Sequence, residues 1–185
     1  MLNRQDIHWF PMRVTYNREL KIKGLLDELE IENFVPMRYD YIKTSKGKVK
    51  KLIPAIRNLI FVKASQETLT DLKRTRMDFD PMRYMTKKSV ISGQSEIIYV
   101  PDKQMSDFIR VASITDDRVM ILDNNDFISK IGKRVEITEG YFAGVEGVIK
   151  RIKRNKHVVV QIEGVASVAI TFVPASCLSF IDENN

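Results

Sequence analysis

The sequence predicts an α+β protein of two domains, an N-terminal α/β layer with a mostly antiparallel sheet and a C-terminal all-β barrel. Three observations predict it. Strand-period and helix-period segments alternate through the N-terminal half, acidic and amide residues gather between Ile114 and Lys130, and glycines punctuate short apolar runs after Ile131. The chain's 185 residues and 44% hydrophobic share give room for one large or two small cores.

His8-Trp9-Phe10-Pro11-Met12-Arg13-Val14 reads as the first strand, with Pro11 suggesting an edge or a bulge. Asn17 suits the cap of a helix from Arg18 to about Leu29, whose apolar face is Leu20, Ile22, Leu25, Leu26 and Leu29. A hairpin follows from Phe34-Val35-Pro36 to Lys51, turning at Ser45-Lys46-Gly47. Pro54 to Val62 ends in the most apolar run of this half, the best candidate for a central strand.

Ser65 is placed to cap a short helix from Gln66 to Arg74, with Leu69 and Leu72 inward. Met82 to Met85 reads as a strand and Lys87 to Gln94 as a surface loop. Pro101 introduces a helix on which Met105, Phe108 and Ile109 share a face. The expected boundaries are a first domain at 1–113, an acidic linker at 114–129 with a short ordered piece at Val119 to Leu122, and a second domain at 130–185.

In the second domain, Val135 and Ile137 alternate with polar neighbours, and Gly140, Gly144 and Gly147 mark points of positive φ or close backbone approach. Further strands are expected near Val148 to Ile152, Val158 to Ile162, Val168 to Val173 and Leu178 to Ile181.

A net charge of +6 and a pI near 9.4 favour an acidic partner such as nucleic acid. The single cysteine, Cys177, makes no internal disulfide, and no apolar run approaches the roughly 20 residues that span a bilayer. A reducing cytoplasm and no membrane association are therefore expected, and a monomer is expected alongside them. There is no phosphate-binding glycine loop, metal-ligand spacing or nucleophile–base pair, and His8 and His157 fall in different domains. No cofactor, metal or enzymatic activity is expected.

The run with Gly140, Phe142, Gly144 and Gly147 resembles the KOW motif of SH3-like barrels. His8-Trp9-Phe10, Phe34-Val35-Pro36 and Pro54 to Val62, with Asn58 and Phe61 inside it, resemble the NGN domain of NusG-type transcription elongation factors. The order of NGN, linker and KOW resembles that family over essentially the whole chain. The resemblance implies that the NGN domain binds the clamp helices of RNA polymerase, while the KOW domain recruits a ribosomal protein or a termination factor.

Positions matching the family's docking surface are Ile56, Leu59 and Phe61, with Met105, Phe108 and Ile109. Read from spacing alone, the same residues are ordinary core. Arg18, Lys21, Lys73, Arg74 and Arg76 are candidates to neutralise phosphates of upstream or non-template DNA, against the alternative of solvated charge. Arg57 and Leu59 stand where many relatives have proline and tyrosine, which points to a specialised antiterminator paralogue. A histidine–threonine contact of some paralogues has no counterpart, since the stretch reads Thr70-Asp71-Leu72-Lys73.

Some specialised relatives fold the KOW segment as a helical hairpin. Here the β-branched run from Val158 to Val173 predicts strands. A second function class is an RNA-binding or ribosome-associated protein acting through the basic hairpin of Lys150, Arg151, Lys153, Arg154 and Lys156.

Overall fold

A computed structural model describes residues 5–45, 47–89, 93–122, 132–152 and 154–181. Lys46, Lys153 and residues 123–131, including Asp123 and Asp126 of the expected linker, lie outside them. The chain divides into two compact units, Met1–Asp102 and Lys103–Asn185.

The first unit is built on a four-stranded antiparallel sheet. Its strands are β1 (Ile7–Val14), β2 (Asn33–Phe34), β5 (Leu59–Ser65) and β6 (Met82–Tyr84), in the order β2-β5-β1-β6. The apolar run predicted as central is β5, paired on both sides. β1 is also interior, which corrects the edge or bulge suggested by Pro11. Pro11 lies opposite Phe61, and its carbonyl accepts the Met85 N–H just beyond the end of β6. An antiparallel residue directs its nitrogen and carbonyl to the same side, so the missing N–H falls where the β6 ladder has stopped.

Side-chain parity sorts the sheet into two faces. Phe10, Met12 and Val14 of β1 share one face with Ile60, Val62 and Ala64 of β5 and Met82 of β6. These join Ile22 and Leu26 of α1 (Glu19–Glu28) and Leu69 of α2 (Gln66–Thr75) in the main core cluster. The Ser65 hydroxyl caps α2 by accepting the Thr68 N–H at 3.0 Å, as predicted.

Asn17 does not cap α1. It adopts a left-handed φ of 51°, and its N–H donates to the Asn58 side chain at 3.1 Å, so the cap position passes to Arg18.

β3 (Met37–Thr44) and β4 (Gly47–Pro54) form the predicted hairpin, a separate two-stranded ribbon. Part of the expected loop at 87–94 is strand, since Lys87 and Lys88 belong to β7 (Thr86–Lys88), which pairs with β8 (Ser95–Ile97); residues 90–92 lie outside the described residues.

The second unit contains α3 (Asp102–Ala112), whose first residue lies on the division, and a six-stranded antiparallel sheet. Its strands are β9 (Val119–Leu122), β10 (Arg134–Ile137), β11 (Glu146–Ile152), β12 (Asn155–Ile162), β13 (Ala166–Ile170) and β14 (Leu178–Phe180). The order is β14-β10-β11-β12-β13-β9. The valine-rich stretch therefore folds as strands. Among the described residues no ladder joins β14 to β9, so the strand pairing is open where a closed barrel was expected.

The expected linker is not irregular throughout. Val119–Leu122 pairs in register with Ser167–Ile170 and buries Leu122 against Val159 and Ala169. The division at 102/103 also falls ahead of the expected end of the first domain, because α3 is grouped with the second sheet.

Candidate functional site

The first sheet carries buried apolar residues on both faces, and the exposed Arg13 and Arg83 share the second of them. Opposite the core cluster, Leu59 and Phe61 of β5 share a face with Trp9 and Pro11 of β1. Trp9, Leu59 and Phe61 are all buried, and none belongs to the cluster formed with α1 and α2. The rim of this face is charged. Lys63 lies 5.8 Å from the Trp9 ring centroid and pairs with Glu32 at 3.5 Å and Asp102 at 3.6 Å. Of the first three docking candidates, Leu59 and Phe61 are thus brought together by parity, while Ile56 sits half-buried before the strand.

The other docking candidates lie on α3. Met105 and Phe108 are fully buried and Ile109 is half-buried. Their spacing gives the helix one apolar stripe. The polar side of α3 grips the loop between β10 and β11. Lys103 Nζ donates to the Gly144 carbonyl at 2.8 Å, and Arg110 donates to the carbonyls of Ala143, at 2.7 Å, and Tyr141. Asp107, only 6% exposed, accepts from Lys103 at 2.7 Å and from the Glu146 N–H at 3.2 Å. Gln104 donates to the Gln161 carbonyl at 2.7 Å.

The KOW-motif candidates shape that loop. Gly140 and Gly144 both have φ of 83°, in a tight excursion closed by Gly144 N–H to Ile137 O at 2.7 Å and by Val145 N–H to Phe142 O at 3.0 Å. Phe142 packs inward, 8% exposed, edge-to-face with Tyr141. Gly147 serves close approach instead: a Cβ there would meet the Val159 carbonyl oxygen at 2.9 Å.

Sequence reasoning missed Lys103, Gln104, Asp107 and Arg110. The i,i+4 pairing of Lys103 with Asp107 was visible, but the backbone carbonyls these side chains reach carry no sequence signature.

The basic candidates separate into two groups. Arg18, Lys21 and Arg76 surround Asp78. Lys21 bonds it at 2.7 Å, and that hydrogen bond, followed by the positive charges of Lys21, Arg76 and Arg18, holds its carboxyl below the ordinary range. Lys73 lies over the Tyr84 ring at 5.2 Å, where burial and then Arg83 lower its pKa. Arg74 is exposed and paired with Asp71. In the β11–β12 hairpin, half-buried Lys150 donates to the Gln161 side chain at 2.8 Å, so it is not a free surface cation.

Among the described residues, no group of three or more His, Cys, Asp or Glu side chains is arranged to hold a metal, and no helix is long and apolar enough to cross a membrane.

Comparison with individual curated proteins returns no match. The family model described as "NusG: Transcription termination factor nusG" matches residues 7–109, from the first residue of β1 through most of α3. That match covers more than half of the chain and takes in the first sheet. The chain belongs to the NusG family of transcription elongation and termination factors.

Proposed function

We propose that this protein is a non-catalytic regulator of transcript elongation that docks on the clamp helices of RNA polymerase and acts as an antiterminator. Ile56, Leu59, Phe61, Met105, Phe108 and Ile109 make the docking contacts. The observation that carries this reading is the set of buried apolar residues on the first sheet's second face. An antiparallel sheet serving only one core commonly leaves its other face polar and solvated, and α1 and α2 account for only one face here.

Leu59, Phe61, Met105 and Phe108 are buried in the free chain, so docking is coupled to a rearrangement that uncovers them. Arg18, Lys21, Lys73, Arg74 and Arg76 neutralise phosphates of upstream or non-template DNA. The second unit acts as an SH3-like KOW domain that recruits a ribosomal protein or a termination factor in the cytoplasm.

The half-buried Ile56 and Ile109 provide the test, since neither is fully sealed from solvent. Ile56→Asp and Ile109→Asp, each with native circular dichroism, are expected to lose about ten-fold or more in retention on immobilised RNA polymerase. They should also lose the wild-type effect on readthrough of a terminator in vitro. Retention of both variants at the wild-type level would reject the docking assignment.

A further inference from the structure

The ribbon β3–β4 carries a surface that polymerase docking does not use. Antiparallel register places Tyr39, Tyr41 and Lys43 on one face with their cross-strand partners Leu52, Lys50 and Lys48. All six are exposed, Tyr41 by 67% and Tyr39 by 49%. No carboxylate shares this face. The ribbon's one acid, Asp40, has the opposite parity and is paired with Arg38 at 3.2 Å.

Two features of this face are costly for a ribbon that binds nothing. Lys43 and Lys48 stand directly opposite one another, and like charges in that position repel. Two tyrosine rings are largely exposed, Tyr39 carrying the Lys50 ammonium 4.6 Å from its centroid. A polyanion relieves the first, and flat apolar ligands cover the second.

We propose that this face binds a single strand of nucleic acid, with bases stacked on Tyr39 and Tyr41 and phosphates on Lys43, Lys48 and Lys50. Residues two apart on a strand are separated by about 7 Å. That is about twice the 3.4 Å rise of a strand within a duplex. The two rings therefore suit bases drawn apart along an extended chain, which a duplex does not offer. Ring stacking and phosphate pairing use groups that RNA and DNA strands share, so the two bind alike.

The test uses the full-length chain without polymerase, so it stands or falls independently of the docking assignment. Fluorescence anisotropy is measured with labelled mixed-pyrimidine oligonucleotides of about 12 nucleotides as DNA, RNA and blunt duplex DNA. The two single strands are expected to bind within about three-fold of each other and more tightly than the duplex. Tyr39→Ala with Tyr41→Ala weakens single-strand binding by about ten-fold or more. Lys43→Gln with Lys48→Gln also weakens it, and reduces the slope of log K against log salt by about 1.4.

Preference for duplex, indifference to loss of both tyrosines, or absence of single-strand binding would each overturn the proposal. The substituted side chains are exposed, and circular dichroism checks that each variant retains the fold.

Discussion

At Gly147 there is room for a hydrogen and nothing larger. A methyl group would press on the Val159 carbonyl at 2.9 Å and Val158 Cγ1 at 2.7 Å, and the carbonyl belongs to the neighbouring backbone. Gly147→Ala is expected to destabilise the chain by about 1–3 kcal/mol in urea denaturation. Ser65→Ala, which removes the α2 cap, is expected to cost about 1 kcal/mol by the same measurement.

Asp78 gives a pH prediction. Its carboxyl is held below the ordinary value of 3.8, so the stabilisation it provides is present above that value and is lost as pH falls through the lower folded value. Lys21→Met should move the Asp78 midpoint upward in an NMR titration and remove the Lys21 share of that stabilisation near neutral pH. The glycine and cap positions were legible because each depends on one residue type in a local backbone conformation. Asn17 was misread because its partner, Asn58, is distant in sequence and draws its backbone N–H away from a helical start.

Among the elements, α3 combines a buried apolar stripe with a polar edge fixed to a loop. Asp107 is its anchor, accepting the Glu146 N–H and the Lys103 ammonium at once. Asp107→Ala is expected to speed exchange of the Glu146 amide by about 10-fold or more, and Asp107→Asn, which keeps an acceptor oxygen, by less. Equal protection in all three proteins would show that this bond does not hold the loop.

The existence and type of most elements were readable from period and punctuation. The hairpin at Ser45-Lys46-Gly47 and the β-branched run ending in β13 are examples. Pro11 misled because a proline's tolerance depends on which neighbouring strand has stopped, a fact of three-dimensional pairing. Val119–Leu122 was nearly lost among acidic neighbours because four residues supply too little periodicity to outweigh composition.

Across the whole molecule, the docking candidates were found in sequence through resemblance, since their spacing alone reads as core. The burial of Leu59, Phe61, Met105 and Phe108 is what that spacing predicts. The two compact units and the family match disagree about where the first domain ends. The match runs to residue 109, whereas α3 is grouped with the second sheet from Lys103 onward. A fragment of residues 103–185 is therefore expected to unfold at higher urea than one of residues 113–185. The shorter fragment leaves the carbonyls of Tyr141, Ala143 and Gly144 without their cationic donors.

Adjacent residues at the division take partners in different units: Asp102 pairs with Lys63, while Lys103 reaches Gly144. A cut between the two severs neither bond, so the parts can be expressed separately as residues 1–102 and 103–185.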